Sequence, residues 1–299
     1  MSRASRVDSP RDLDEALDCL EGAPPGCLIL AGGTDLMVEF QSGRTRPEHV
    51  VDVWGVDALR GIRETAAGEL RLGALTTCAE LVHSALAQER ADVLVEAAAE
   101  VGALQIQNRA TLGGNLGTAS PAADMNPVLA ALGARVGLVS RAGRRELPVE
   151  EFLTGYRTTA RRPAELIEAV LLPARPAGER RAFRKVGTRR AQSISKVVVA
   201  LAVTIDDGRI VRLRGAAGSV APATVLLPSL ERQLVGEVPT GELLRAAARE
   251  SARRDAAPID DVRSTARYRR VVLERLLTSL LEGLVGGVDP GFFEDKYMG

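Results

Sequence analysis

Two glycine-centred segments carry the residues best suited to chemistry. In the first, Ala31-Gly32-Gly33-Thr34-Asp35 follows a short apolar run and precedes Leu36-Met37-Val38-Glu39-Phe40. Consecutive glycines let a backbone turn so that several N–H groups converge, an arrangement that receives an anion. A helix beginning at Leu36 would add partial positive charge at the same place, and Thr34 offers a hydroxyl donor. Asp35 would repel a phosphate that it faced, so its expected task is to cap that helix. The second segment, Thr111-Leu112-Gly113-Gly114-Asn115-Leu116-Gly117-Thr118, repeats the logic with exposed N–H groups, a side-chain amide and two hydroxyls. Two such loops in one domain would grip the two phosphates of a dinucleotide from opposite sides. The same residues would also serve as two tight turns in a chain rich in small residues, and the segments alone leave both readings open. Neither fits G-x-G-x-x-G or G-x-x-x-x-G-K-S/T, which disfavours a Rossmann site or a P-loop.

The rest of the chain bounds what these segments can serve. Its 299 residues suggest two domains. The formal net charge of zero argues against bulk attraction to nucleic acid. Cys19, Cys27 and Cys78 are scattered, with no C-x-x-C and no histidine at ligand spacing, so no metal ligand set is assigned and a reducing compartment is expected. No apolar signal core follows Met1 to Arg6, and no window approaches the roughly 20 apolar residues needed to span a bilayer, so a cytoplasmic protein is expected. His49 and His83 lie outside both glycine segments and are read as structural or surface residues. Arg161-Arg162 and Arg189-Arg190 are read first as solvated charge, with a subunit interface or an acceptor's phosphate as the alternative.

The elements that must position the two segments follow from periodicity. Leu13, Ala16, Leu17 and Leu20 recur at helical spacing after Asp8-Ser9-Pro10. Cys27 to Leu30 reads as a buried strand, as do His49 to Val53 and Leu70 to Gly73; Cys78 to Leu86 and Val93 to Val101 read as helices. Val128 to Leu132 reads as an apolar helix and Val136 to Leu147 as a hairpin. Arg175-Pro176-Ala177-Gly178-Glu179 has linker composition. Beyond it, Lys196 to Ile205 and Arg209 to Leu213 flank an Asp207-Gly208 turn that favours a β-hairpin. Glu242 to Ala256 and Thr265 to Leu284 read as amphipathic helices that form core. The chain thus divides near residue 177 into a larger mixed α/β part and a smaller sheet-plus-helices part.

The run from Asn108-Arg109-Ala110-Thr111 through Gly113-Gly114-Asn115 to Ser120-Pro121-Ala122-Ala123-Asp124-Met125-Asn126-Pro127 closely resembles the FAD-binding (medium) subunit of the xanthine dehydrogenase family of molybdenum hydroxylases. Ala31 to Leu36 resembles that family's first FAD loop. Phe152 to Arg157 and Glu165-Leu166-Ile167 match its connecting segment, and Lys185 to Gln192 and Asp261-Val262-Arg263 match its C-terminal domain. The resemblance implies an α+β fold: a vanillyl-alcohol-oxidase-like (PCMH-type) FAD-binding domain over 1–176, in two α/β subdomains split near 55–60. A C-terminal sheet-and-helices domain over 177–289 and a tail at 290–299 would follow. It implies that Leu30, Ala31, Gly32, Gly33, Thr34, Asp35 and Leu36, with Thr111, Gly113, Gly114, Asn115, Gly117 and Thr118, line the pyrophosphate and ribityl part of a non-covalent FAD. Ala123 and Asp124 match positions that contact the cofactor. Val101, Gly102, Ala110 and Lys185 align near the flavin, Val101 at a position that can be aromatic elsewhere.

Lys185 stands out independently, because the chain has lysine only at 185, 196 and 296 and writes its other positive charges as arginine. The implied function is electron transfer: the chain would pass electrons from 2Fe–2S clusters of a small partner subunit to NAD or another acceptor. Substrate oxidation would occur at a molybdenum cofactor in a large partner subunit, in an assembly expected to be a dimer of heterotrimers. No catalytic residue is assigned within this chain. The Gly33-Thr34-Asp35 form of the first loop leans, by resemblance, towards xanthine- or aldehyde-type enzymes over CO dehydrogenase. The alternative is a stand-alone flavin oxidoreductase of the same fold with its own small substrate.

Overall fold

A computed structural model of the chain describes residues 6–189 and 192–286. The expected tail at 290–299, Lys296, and Arg190-Ala191 of the Lys185–Gln192 motif lie outside the described residues. The described residues form two compact units. One holds the chain up to Ser120 together with Gly133–Ala174; the other holds Pro121–Leu132 together with the chain from Arg175 onward.

The first unit opens with β1 (Arg6–Asp8), α1 (Leu13–Glu21), β2 (Leu28–Leu30), α2 (Leu36–Gln41) and β3 (His49–Asp52). The strands pair in the order β1-β3-β2, all parallel. Asp12 caps α1 by accepting from the Glu15 N–H at 2.8 Å, and Ala16 and Leu17 face the core with Leu20 one helical turn further on. In parallel sheets ligands gather beyond the carboxyl ends of the strands. Both the first glycine segment and Trp54 lie there, after β2 and β3.

Next come β4 (Ile62–Glu64), β5 (Leu70–Gly73), α3 (Cys78–His83), α4 (Ala85–Arg90), α5 (Asp92–Ala99), α6 (Leu104–Gln107) and α7 (Leu112–Thr118). The single helix expected from Cys78 to Leu86 is broken at Ser84, which ends α3 and caps α4 with its hydroxyl. Thr77 and Glu80 close a capping box at the start of α3. After α8 (Met125–Ala131), which belongs to the second unit, the first unit resumes with β6 (Arg135–Ser140), β7 (Gly143–Pro148), α9 (Val149–Phe152), β8 (Leu153–Gly155), β9 (Thr158–Thr159) and β10 (Leu166–Leu172). Strands β6, β7 and β10 complete an antiparallel sheet of order β4-β5-β10-β6-β7, and β8 and β9 pair separately.

The second unit contains β11 (Glu179–Val186), β12 (Val197–Asp206), β13 (Arg209–Gly218), β14 (Val225–Leu226), α10 (Pro228–Leu234), α11 (Gly241–Arg254) and α12 (Ala266–Gly286). Its sheet is antiparallel in the order β11-β12-β13-β14. Val197, Val199, Leu201 and Val203 alternate into one core with Leu273, Leu277, Leu280, Leu281 and Leu284 of α12. The other face of β12 is also buried, because α8 covers it: a Cβ on Gly218 would touch both Val198 and Pro127. Cover on both faces explains why β12 reads as an unbroken apolar run.

Candidate functional site

The two glycine segments meet inside the first unit. A Cβ on Gly32 would land in the Arg109 carbonyl, so only glycine allows the backbone of the first segment to lie against the chain just ahead of the second. Thr118 at the end of α7 donates to Asp35 Oδ2 at 3.4 Å, joining the segments a second time.

Their chemistry nevertheless differs. Among the described residues, the backbone N–H groups of Gly33, Thr34, Asp35 and Leu36 donate to no protein acceptor. Gly33 has φ +78°, a left-handed turn that holds these donors in sequence. These four residues are half-buried, so their N–H groups remain open to water or to a partner outside the chain. The second segment, expected as a loop with exposed N–H groups, is instead helix α7. Leu112 N–H donates to Thr76 O at 2.9 Å and Gly113 N–H to Ala74 O at 2.7 Å. Gly114 N–H donates to Thr111 Oγ1 at 3.1 Å and Asn115 N–H to Thr111 O at 2.9 Å. Neighbouring carbonyls and the Thr111 cap therefore consume the donors that a free loop would have presented. Gly113 is glycine because a Cβ would strike Ala74, and a Cβ on Gly114 would displace the Thr111 hydroxyl. A Cβ on Gly117 would make ordinary contact with Ile167, and Ala119 ends the helix at φ +47°.

Asp35 also departs from expectation. It occupies the N-cap of α2, but its side chain makes no capping bond. Its carboxylate meets Thr118 and the Arg157 guanidinium, which also holds Glu39 Oε1 at 2.6 Å. Its charge is thereby matched without turning towards the open N–H groups. With six residues, α2 contributes a small dipole, so the donors themselves, rather than the helix, define the cradle. Nearby, Ala110 O accepts from Cys78 N–H at 2.9 Å, and Val101 and Gly102 follow α5, with Gly102 at φ +55° against Ile106. The Arg109 guanidinium lies 3.6 Å from the Trp54 ring centroid, and its Nε donates to Gly32 O at 3.3 Å. Arg60 stacks on the same ring at 4.5 Å. The sequence reading had not singled out Trp54, although it is the single tryptophan.

In the second unit, Lys185 Nζ pairs with Asp124 Oδ2 at 2.7 Å, the two side chains being 4% and 10% exposed, and Ser195 donates to Asp124 Oδ1. Burial pushes the Asp124 carboxyl above the usual range, while Lys185 and Ser195 pull it back. Ser195 O accepts from Ser219 Oγ at 2.9 Å, and Ser219 O from the buried Arg269, whose other nitrogen grips both oxygens of Asp261 at 2.8 Å. This places Asp261 and Arg263 of the C-terminal motif on one turn: the Asp261 carboxylate accepts from the Arg263 and Ser264 N–H groups. Arg161, expected in solvent, is another correction. It donates to the carbonyls of Arg162, Pro163 and Glu165, and burial holds its guanidinium below the ordinary arginine range. His49 is buried and paired with Asp8 at 2.7 Å.

Residues 3–175 match the family described as the FAD binding domain in molybdopterin dehydrogenase, and residues 181–284 the CO dehydrogenase flavoprotein C-terminal domain. The chain belongs to the FAD-binding subunits of the molybdenum hydroxylase family. As an FAD-binding subunit it is 30% identical over 300 residues to the nicotinate dehydrogenase FAD-subunit of Eubacterium barkeri, covering 93% of this chain and 97% of the relative. It is 29% identical over 262 residues to the xanthine dehydrogenase FAD-binding subunit of Escherichia coli O157:H7, covering 87% and 89%. Among solved structures it resembles a chain of carbon monoxide dehydrogenase from Hydrogenophaga pseudoflava, with TM-score 0.91 and 27% identity over 97% of this chain and 100% of that one. The mixed helix-and-sheet fold and the FAD cofactor expected from the sequence are thereby established. Four N–H groups at Gly33 to Leu36 without protein acceptors among the described residues suit an anion, as a diphosphate is, and suit no cation. No described helix is long and apolar enough to cross a membrane.

Proposed function

We propose that this flavoprotein subunit relays electrons from 2Fe–2S clusters of a small partner subunit to NAD or another acceptor. Substrate would be oxidised at a molybdenum cofactor in a large partner, the whole forming a dimer of heterotrimers in the cytoplasm. The observation that carries the reading is the row of acceptorless N–H groups from Gly33 to Leu36, set beyond the carboxyl ends of β2 and β3. FAD carries two electrons and accepts or releases them singly, which suits a link between one-electron clusters and a two-electron acceptor.

The chain's own task is to hold and orient. Gly33, Thr34, Asp35 and Leu36 would hold the diphosphate through backbone N–H groups, with Thr34 adding its hydroxyl. Leu30, Ala31 and Gly32 would form the near wall. Thr111, Gly113, Gly114, Asn115, Gly117 and Thr118 would act as a packed helix that seats the first turn. Arg157 would keep Asp35 from repelling the phosphates. Val101, Gly102 and Ala110 are proposed near the flavin ring, and Ala123, Asp124 and Lys185 as further cofactor neighbours.

The test is direct. The purified chain should carry one FAD per polypeptide, and its flavin should be reduced on mixing with the reduced 2Fe–2S partner. Native mass measurement of the complex checks the heterotrimer pairing. A chain that turns over a small substrate by itself would favour the stand-alone oxidoreductase. Gly32→Ala, which drives a methyl into the Arg109 carbonyl, should release the flavin; full FAD content in the folded variant would remove the cradle assignment.

A further inference from the structure

The Gly32–Gly33 peptide has two ends, and the structure treats them differently. Its carbonyl oxygen accepts from Arg109 Nε at 3.3 Å. Its N–H, that of Gly33, is one of the acceptorless donors of the cradle. In a planar trans peptide the two groups point in opposite directions. Holding the oxygen on one side therefore aims the N–H to the other. This restraint matters because glycine stands on both sides of the bond. With no Cβ at either residue, the peptide can turn over at little steric cost, and a turned peptide would present its carbonyl oxygen to the phosphates.

Arg109 is itself held in place. Its guanidinium lies over Trp54, 3.6 Å from the ring centroid, and the Trp54 backbone N–H donates to Asp52 Oδ1 at 3.0 Å at the end of β3. Among the described residues no carboxylate pairs with Arg109, so its charge is not spent on an ion pair. The alignment of a charged donor with the carbonyl also polarises the peptide and strengthens its N–H as a donor.

We propose that Trp54 and Arg109 form a clamp that fixes the Gly32–Gly33 peptide with its N–H directed at the cofactor's diphosphate. Arg109 is thus a positioning residue for FAD, acting through Gly33, and the inference rests on the cradle reading above. A hydrogen bond from a charged donor contributes about 1.5–3 kcal/mol, so Arg109→Gln should weaken FAD binding by roughly ten- to a hundredfold.

The experiment is a double-mutant cycle on the full chain freed of flavin, titrated with FAD and read by flavin fluorescence. Trp54→Ala should weaken binding in the same direction as Arg109→Gln. The double variant should be no weaker than Arg109→Gln alone, because both changes open one clamp. Losses that multiply, or an Arg109→Gln affinity within about twofold of the parent, a difference below roughly 0.5 kcal/mol, overturn the proposal. Should Arg109→Gln not fold, Arg109→Lys replaces it in the cycle, with the same non-additivity expected and multiplying losses again decisive. Gly32→Ala separates the two readings. If it loses FAD while Arg109→Gln does not, the clamp fails and the cradle stands; if Gly32→Ala binds FAD normally, the cradle itself is wrong.

Discussion

The Gly32-Gly33 and Gly113-Gly114 pairs look alike in sequence and end in opposite states. At the first pair the backbone keeps four consecutive N–H groups without a protein acceptor among the described residues; at the second, the four N–H groups from Leu112 to Asn115 are all bonded within the unit. Glycine serves a different end in each. At Gly33 it supplies the left-handed turn that keeps donors open. At Gly113 it supplies room for a helix to lie against Ala74. A glycine pair is thus no evidence of an anion site until its N–H groups have been followed to their acceptors. The buried Asp124–Lys185 pair belongs with the second case, its carboxylate oxygens taken up by Lys185 and Ser195.

Several substitutions sharpen this division between open and closed regions. The largest effect is expected at the closed extreme: Lys185→Met leaves a buried carboxyl without its cation and should cost about 3–5 kcal/mol in chemical denaturation. An unchanged midpoint would mean that Asp124 is not closed off as described. Gly113→Ala overpacks against Ala74 and should cost about 1–3 kcal/mol, seen as a lower Tm. An unchanged Tm would show that α7 has room to spare and is less closed than its contacts indicate. Thr111→Val removes the cap of α7 and should cost about 1 kcal/mol while leaving the Gly33 to Leu36 donors as they are.

The subtlest effect is read along pH. Hydrogen bonding from Arg145 holds the buried Glu165 carboxyl below its ordinary range. A carboxylate depressed on folding contributes stability that is present above its unfolded pKa of about 4.3 and lost as pH falls through the folded value. Tm should therefore decline on that acid limb, and the decline should be shallower in Glu165→Gln. An identical limb in the variant would remove Glu165 from the account.

Much of the fold was legible. The helical spacing of Leu13 to Leu20, the strand before Gly32 and the Asp207-Gly208 hairpin all appear, the last with φ +44° and +72° at the two turn residues. What escaped was decided by tertiary partners. Strand β10 was not foreseen because Leu166 to Leu172, central in its sheet and covered on both faces, shows no alternation. Helix α7 reads as a loop because three of its seven residues are glycine, and acceptors on Thr76 and Ala74, distant in sequence, outweigh that propensity. Arg269 is buried, yet it lies in a run with Arg267 and Arg270 that looks uniformly solvated. The clamp on Gly32 was out of reach for the same reason: Trp54 and Arg109 meet only after β3 and α6 are in place. A Thr-x-x-Glu capping box at Thr77 and Glu80 was readable and marks the start of α3.

The most direct test of the central claim is amide hydrogen exchange over residues 31–36 and 111–116 of the full chain, with and without FAD. The account predicts that Gly33 to Leu36 exchange fast without cofactor and become protected when it binds, while Leu112 to Asn115 are protected in both states. Unchanged exchange at Gly33 to Leu36, or new protection confined to Leu112 to Asn115, would contradict it.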